Sequence, residues 1–201
     1  MNNSDKAARY KKRMQQRKAI VDERIAKATE DRGVVILLTG DGKGKTSSGF
    51  GTVLRALGHG YQAAVVQFIK GTWESGELNV LRQHPALEYY AMATGFTWET
   101  QNAEADRTAA QQVWDACQHV FQDPSIELVF LDELTYMLNF KYLDKDQVLD
   151  AIRQRPKNQS VIISGRGAKS YLADLADTVS EVKSIKHAFD AGIMARKGVE
   201  W

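Results

Sequence analysis

Short apolar runs, many of them rich in β-branched residues, alternate with stretches of helical spacing from residue 33 onward. The apolar runs predict strands at Val34–Thr39, Ala63–Ile69, Leu87–Met92, Leu128–Leu131, Ser160–Ser164 and Thr178–Val182. The intervening stretches predict helices near Thr46–Leu57, Ala103–Phe121, Asp144–Arg153 and Lys169–Leu175. Continuously apolar strands that alternate with helices are typical of a parallel sheet with helices on both faces. The pattern therefore predicts a single α/β domain built on a mostly parallel sheet.

The first 32 residues have a different pattern. Ser4–Asp31 contains neither glycine nor proline, and its apolar residues recur near helical spacing, at Tyr10, Met14, Val21, Ile25 and Ala28. This spacing predicts an N-terminal amphipathic helix with a narrow apolar stripe. Such a helix must dock on its own domain, on a partner subunit or over a bound ligand. We therefore expect a helical arm or lid at residues 1–32 and the main domain at residues 33–201.

Charge is unevenly distributed along the chain. The net charge is +2, but residues 1–32 carry ten Lys or Arg against five Asp or Glu, a local charge of +5. The remaining residues therefore carry a net charge of −3. Such an asymmetry fits an arm that meets an anionic partner or ligand, and it equally fits a solvated helix face.

Composition places the chain among ordinary globular proteins. Its 201 residues are 43% hydrophobic and 26% charged, which suits one domain with a substantial core. The single cysteine, Cys117, cannot form an internal disulfide, and no apolar run approaches the roughly 18 residues of a membrane span. Without a signal-peptide pattern, we expect a cytoplasmic protein. The four histidines lack metal-ligand spacing, so we expect structural or surface roles for them.

The sequence GDGKGKTS lies directly between the first predicted strand and the first predicted helix of the main domain. Glycines there let backbone N–H groups converge on an anion, while the lysine reaches phosphates and the threonine hydroxyl suits Mg²⁺. The usual pattern is G-x-x-x-x-G-K-[ST], so the first glycine comes one residue late, which suggests that a triphosphate is held unusually. A glycine-rich connector is the alternative. The candidate phosphate-binding residues are Gly40, Asp41, Gly42, Lys43, Gly44, Lys45, Thr46 and Ser47.

Polar residues close three of the other predicted strands. Asp132 and Glu133 follow Leu128–Leu131, and the carboxyl ends of parallel strands line the ligand crevice, so both acids can face the loop and its Mg²⁺. A second acid can also orient an attacking water, so this pair leaves hydrolysis open. Gln67 and Lys70 bracket another strand end. Arg166, between two glycines, is a candidate phosphate ligand or a solvent-facing residue of an ordinary turn.

A glycine- and threonine-rich loop carries two large aromatic residues, Phe96 and Trp98. Exposed aromatic rings favour a flat or apolar cover, so the loop either binds such a ligand or folds back onto the core. Trp73 raises the same question. The pattern alone leaves these alternatives open.

Six segments together closely resemble the bacterial ATP:cob(I)alamin (corrinoid) adenosyltransferases of the phosphate-loop type. The resemblance covers nearly the whole chain, and its FTWET and KHAFDAG stretches are far more particular than a phosphate loop. The segments are Gly40–Ser47, Val65–Gly71, Met92–Thr100, Leu128–Tyr136, Ser164–Gly167 and Lys186–Gly198. The resemblance implies a P-loop NTPase-like fold, with nucleotide and corrinoid bound by residues 33–201.

The implied reaction moves the 5′-deoxyadenosyl group of ATP to the cobalt(I) of a reduced corrinoid, cob(I)alamin or cobinamide, and releases tripolyphosphate. In this family the shortened loop holds the triphosphate in the reversed sense, which would explain the late glycine. By likeness, Lys45 and Arg166 bind phosphate, Thr46 and Glu133 hold Mg²⁺, and Asp132 assists from the strand end. These cations would stabilise charge on the leaving tripolyphosphate.

The resemblance also gives the aromatic loop a purpose. The residues that match Phe96 and Trp98 pack beneath the corrin ring and displace its lower axial ligand, which makes cobalt(II) easier to reduce. Family members are similar in forming homodimers whose N-terminal helix can cover a neighbouring site, and an electron-donating flavoprotein reductase is the implied partner. Asp41 departs from the neutral residue expected in the loop, and a carboxylate there is unfavourable beside a triphosphate unless it points away or toward Mg²⁺.

Two other functions compete with this interpretation. A phosphate-loop NTPase or kinase would use the same loop and acid pair, but it would release orthophosphate or transfer a phosphoryl group without a corrinoid. A nucleic-acid-binding protein would use the basic arm, yet the −3 charge of the remaining chain provides no extended basic surface. We therefore expect no nucleic-acid partner and no membrane span.

Overall fold

The computed structural model describes residues 3–69, 75–92 and 102–200. The chain divides into two compact units, Met1–Asp31 and Arg32–Trp201. In the first unit, helix α1 (Asn3–Lys27) confirms the predicted N-terminal helix. Its surface carries i,i+4 ion pairs between Lys18 and Asp22 (2.6 Å) and between Lys27 and Glu23 (2.7 Å), which support an exposed helix. None of the helices in the described ranges is long and apolar enough to cross a membrane.

The second unit is built on a parallel sheet, as the strand pattern predicted. Within the described residues the sheet has six strands: β1 (Val35–Thr39), β2 (Gln62–Gln67), β3 (Leu87–Ala91), β4 (Ile126–Asp132), β5 (Ser160–Ser164) and β6 (Thr178–Glu181). Their order is β3-β2-β4-β5-β1-β6, and every pairing is parallel. After β1 the chain crosses past β5 and β4 to form β2, whereas after β5 it crosses past β1 to form β6. Ligands of open α/β sheets bind at the carboxyl ends of strands where connections diverge in this way, and here those are the ends of β1, β5 and β4.

Helices connect the strands. The described α-helices of this unit are α2 (Lys45–Gly58), α3 (Gly76–Leu81), α4 (Ala103–Cys117), α5 (Leu134–Asn139), α6 (Lys145–Gln154) and α7 (Ser170–Leu175). Short 3₁₀ turns occur at Gln118–Phe121 and Phe189–Ala191. Ser75, Asn102 and Asp144 cap the helices that follow them, each accepting a backbone N–H with its side-chain oxygen.

Apolar side chains cover both faces of the sheet. Val129 and Leu131 of β4 belong to one buried cluster, whereas Leu128 and Phe130 belong to the other, because successive strand residues point to opposite faces. Gly49 lets α2 approach β4 closely, since a Cβ at this position would lie 2.2 Å from the Phe130 ring. This close packing fixes the start of α2 against the carboxyl end of the sheet.

The predicted and observed elements differ mainly in length and in short helices. The predicted helix Ala103–Phe121 is α-helical only to Cys117 and then tightens into a 3₁₀ turn. The predicted strand Ala63–Ile69 is one residue longer at its start and ends at Gln67. Helices α3 and α5, of six residues each, were not predicted, whereas the equally short α7 lies within the predicted helix Lys169–Leu175.

Candidate functional site

The segment between β1 and α2 forms a tight loop that only glycine can follow at two positions. Gly40 and Gly44 have φ values of 94° and 114°, in the left-handed region that favours glycine. A Cβ on Gly40 would lie 2.5 Å from the carbonyl oxygen of Val182, and one on Gly42 would lie 2.8 Å from the same atom. The Gly42 N–H donates to this oxygen at 2.7 Å. The backbone after β6 thus fixes one side of the loop.

Lys45 lies inside this loop. Its Nζ donates to the carbonyl oxygens of Gly40 (2.7 Å) and Gly42 (2.8 Å), and the residue is only 6% exposed. Burial lowers the pKa of Lys45, while the nearby Glu133 carboxylate opposes that shift. Helix α2 begins here without a side-chain cap and without an acidic residue in its first turn. Its positive end and a lysine therefore converge where an anion can bind.

Asp132 ends β4 and is 2% exposed. Among the described residues, it accepts three side-chain hydrogen bonds: from Ser164 (2.6 Å) and Thr46 (3.1 Å) on Oδ1, and from Gln67 (3.0 Å) on Oδ2. The Tyr89 hydroxyl donates to the Gln67 amide oxygen at 2.9 Å, which orients that amide. Burial raises the pKa of Asp132, and its three donors oppose the shift. Asp132 therefore links the first turn of α2 to three neighbouring strands.

Glu133 has a strained backbone, with φ of 59°, and its N–H donates to Ser164 Oγ at 3.0 Å. Within the described residues its Oε2 is buried without a hydrogen-bond partner. Burial, followed by the Asp132 charge, raises the pKa of Glu133 to about 7, while Lys45 and Arg166 act in the opposite direction. A buried carboxylate oxygen without a donor is suited to a hard cation such as Mg²⁺.

The donor set fits a magnesium ion that shares its coordination with a nucleotide. In residues 3–69, 75–92 and 102–200 no cluster of three or more His, Cys, Asp or Glu could hold a metal alone. Mg²⁺ usually takes one or two protein ligands together with phosphate oxygens and water. The oxygens of Glu133 and Thr46 can provide them, and Asp132, predicted to assist them from the strand end, accepts three hydrogen bonds, one of which positions Thr46.

The loop after β5 places Arg166 near this site. Gly165 has φ of 139°, and a Cβ there would lie 2.0 Å from Thr135 Oγ1, so a side chain has no room. The Thr135 hydroxyl donates to the Arg166 carbonyl oxygen at 2.8 Å, and Asn139 Nδ2 donates to the Gly167 carbonyl oxygen at 3.1 Å. Helix α5 therefore holds the loop, and the Arg166 charge acts on both Lys45 and Glu133.

The remaining candidates divide into two groups. Asp41, Lys43 and Ser47 are exposed at the rim of the loop, where Lys43 forms an ion pair with Glu200 near the end of the chain. Lys70, Trp73, Phe96 and Trp98 lie outside the described residues.

The sequence did not indicate several residues that shape the site. Ser164 was identified only as part of a glycine-flanked motif, although its hydroxyl bonds Asp132 and accepts the Glu133 N–H. Tyr89, Thr135 and Glu200 carried no recognisable signal, because their roles depend on contacts between distant segments.

Comparison with known families gives a consistent result. Residues 31–201 match the family described as ATP:corrinoid adenosyltransferase BtuR/CobO/CobP, and residues 1–25 match the segment described as Cob(I)alamin adenosyltransferase N terminal. Together the two matches cover nearly all of the chain.

Individual relatives agree with the family match. The chain is 52% identical to the corrinoid adenosyltransferase CobA of Salmonella typhimurium over 193 residues, which cover 96% of this chain and 98% of that protein. It is 48% identical to the corrinoid adenosyltransferase of Pseudomonas aeruginosa, with both chains fully covered. The crystal structure of the flagellar accessory protein FlaH from Methanocaldococcus jannaschii is similar in fold alone: TM-score 0.50, 11% identity, covering 75% of this chain and 71% of that one.

Proposed function

The chain belongs to the ATP:corrinoid adenosyltransferase family, and on this premise we propose that it transfers the 5′-deoxyadenosyl group of ATP to the cobalt(I) of a reduced corrinoid. The cobalt(I) electron pair forms the new bond to the ribose 5′ carbon. The bond between that carbon and its phosphate oxygen breaks, and its electron pair leaves with tripolyphosphate. The reaction balances without a further oxidant, reductant or proton.

The observation that carries this proposal is the phosphate loop with Lys45 enclosed in it. The lysine Nζ, bonded to the Gly40 and Gly42 carbonyls, lies beside the uncapped positive end of α2. A polyphosphate bound here would accept hydrogen bonds from the Lys45 ammonium, and bonds between two charged groups are stronger than the present bonds from this ammonium to neutral carbonyl oxygens. Arg166, on the loop after β5, would add a second cation. The loop would thus stabilise the charge that develops on the departing tripolyphosphate.

The two acids, Asp132 and Glu133, have different roles in this proposal. Thr46 and Glu133 would hold Mg²⁺, which when bound would neutralise charge on the phosphate oxygens. Asp132 would orient the Thr46 hydroxyl and Gln67 through the hydrogen bonds described above. This division rests on the orphaned oxygen of Glu133 and on the occupied oxygens of Asp132.

For the aromatic loop, the proposal follows the family resemblance. Phe96 and Trp98 would cover the lower face of the corrin ring and exclude its axial ligand. Phe96→Ala and Trp98→Ala are then expected to slow the reduction of cobalt(II) far more than they weaken ATP binding. Each variant is assayed from cobalt(II) and from chemically pre-reduced cobalt(I). Rates equal to the unmodified enzyme in both assays would contradict this role.

The proposal extends to the surroundings of the enzyme. We place it in the cytoplasm as a homodimer that receives electrons from a flavoprotein reductase. The arm at residues 1–32 would act as a lid, and its exposed Tyr10, Val21 and Ile25 and its charge of +5 support contact with another surface. Sedimentation of the full chain and of a chain lacking the arm tests the dimer and the contribution of the arm separately.

The main test uses purified protein, ATP, Mg²⁺ and chemically reduced cobalamin. We expect the visible spectrum of a cobalt–carbon product to appear only with all components present. Lys45→Ala is expected to reduce the rate at least roughly 100-fold, because it removes a buried cation from the leaving group. ATP hydrolysis at the same rate with and without corrinoid would instead support a phosphate-loop NTPase, which the loop and acid pair also suit.

A further inference from the structure

A second concave region lies apart from the phosphate loop, among α4, the turn after α5 and the starts of α6 and α7. It is a cavity of about 640 Å³. Among the described residues, its walls include four cationic side chains and two tyrosines: Arg107, Lys141, Tyr142, Lys145, Lys169 and Tyr171. Because these residues come from four different elements, the fold rather than one local run of sequence brings the charges together.

The positive charge in this cavity is largely uncompensated. Of the described lining residues, Asp144 alone carries a carboxylate, and its Oδ1 accepts the Gln147 N–H at 2.9 Å as the cap of α6. Of the four cations, Lys145 forms an ion pair with Asp146 at 3.2 Å, whereas Arg107, Lys141 and Lys169 form none with any described residue. Like charges converge at a cost unless an anion is bound between them, so the cavity is suited to an oxyanion.

The walls around these cations are held in place. Lys141 has a left-handed backbone with φ of 57°, fixed by the bond from its N–H to the Leu138 carbonyl oxygen at 3.2 Å. The Tyr142 N–H donates to the Met137 carbonyl oxygen at 2.8 Å. The Lys145 ammonium lies 5.6 Å from the centre of the Tyr171 ring, within the range of a cation–π contact.

One loop separates this cavity from the phosphate site. Thr135 holds the Arg166 carbonyl from one end of α5, and Asn139 holds the Gly167 carbonyl from the other. Asn139 and Lys169 also line the cavity. The Arg166–Gly167 loop therefore borders both sites, and a substrate whose reacting centre lies at the phosphate loop would place a peripheral group in the cavity if it extends past this loop.

We propose that this cavity binds an anionic peripheral group of the corrinoid, either a side-chain carboxylate or the phosphodiester of its nucleotide loop. The inference rests on the proposed function, which supplies the corrinoid. A volume of about 640 Å³ admits the oxyanion together with part of the chain that carries it. The cations would favour corrinoids that carry a peripheral anion. Binding of ATP at the phosphate loop would not depend on which corrinoid is bound.

The test compares binding of three corrinoids to the full chain with and without the cavity charges. The variant is Arg107→Gln with Lys169→Met, and its matched control is Arg55→Gln with Lys157→Met, which removes one exposed arginine and one exposed lysine elsewhere. The probes are cobinamide without peripheral anions, cobalamin with a phosphodiester and cobyric acid with a carboxylate. Equilibrium dialysis gives each Kd, and an unchanged ATP Kd shows that the variant is folded.

We expect the variant to raise the Kd of an anionic corrinoid roughly tenfold, since each exposed cation contributes up to about fivefold. The Kd of cobinamide should stay within roughly twofold, and the control should change none of them. A rise for cobalamin identifies the phosphodiester, and a rise for cobyric acid identifies the carboxylate. Equal changes for all three probes, or no change for either anionic probe, would overturn the proposal. Failure of adenosyl transfer to every corrinoid would instead overturn the proposed function.

Discussion

Replacing Glu133 by Gln should stabilise the nucleotide-free protein while it strongly lowers activity. The carboxyl group is buried beside Asp132, its Oε2 has no donor among the described residues, and its pKa is raised from 4.5 to about 7. An acid whose folded pKa is raised contributes stability only while it is protonated. The free energy of unfolding therefore falls as the pH rises from 4.5 through about 7. Gln keeps the shape of the side chain and removes this loss.

The size of the effect follows from the shift. A difference between 4.5 and about 7 corresponds to about 3 kcal/mol when the group is ionised in both states. The stability gained by the variant should therefore grow by about 2 kcal/mol between about pH 5 and about pH 8. Urea unfolding in the presence of a metal chelator measures this difference at each pH. The matched control is Asn139→Ala, because Asn139 is neutral and holds the loop that carries Arg166. The difference in unfolding free energy between this variant and the unmodified protein should not depend on pH.

Activity should move in the opposite direction. Glu133→Gln removes a proposed Mg²⁺ ligand, so kcat/KM for ATP at saturating corrinoid should fall at least roughly 100-fold. A stability difference that stays constant with pH, or a variant that becomes relatively less stable as pH rises, would refute the account of a carboxylate held ready for a cation. Full activity in the variant would refute its role as a ligand.

Three further changes test other parts of the structure. Asp177→Asn should lower the free energy of unfolding by about 1 kcal/mol, because the partly exposed Asp177 carboxylate accepts hydrogen bonds from Arg32 and from the Val35 N–H. Its pKa is lowered to about 2, so this advantage should be present above the ordinary value of 3.8 and disappear as unfolding is followed down towards pH 2. Gly165→Ala should cost on the order of 2–3 kcal/mol in thermal unfolding, because its Cβ would clash with Thr135 at a positive φ; an unchanged melting temperature would contradict the loop geometry. Glu200→Gln should release Lys43 for phosphate and lower the KM for ATP by roughly two- to fivefold, whereas an unchanged or higher KM would show that the ion pair does not compete with the nucleotide.

Much of the fold was predictable because buried parallel strands have a strong local signature. The run Ser160–Ser164 is a strand at the predicted residues, since its continuous β-branched pattern fits no exposed element. Helix α5 was not predictable in this way. It has six residues and begins directly after Glu133, so its existence depends on how the Ser164–Gly167 loop packs against it.

The candidate site was predictable in its parts but not in its connections. The glycine pattern indicates a phosphate loop from local backbone requirements, and the Asp132–Glu133 pair follows from its place at a strand end. Sequence cannot show that Asp132 is occupied by donors while Glu133 keeps an unpaired oxygen. Ser164, on a neighbouring strand, contributes to this difference by donating to Asp132. We therefore assign Asp132 a positioning role and Glu133 the proposed metal-binding role.

The fate of the phosphates tests the central claim most directly. Purified protein is mixed with ATP, Mg²⁺ and an equal amount of chemically reduced cobalamin, and the products are followed by phosphorus NMR beside the visible spectrum. The account predicts one tripolyphosphate for each cobalt–carbon bond formed, because the loop retains all three phosphates while the ribose carbon reacts. Orthophosphate or ADP as the direct product, without a cobalt–carbon bond, would contradict it.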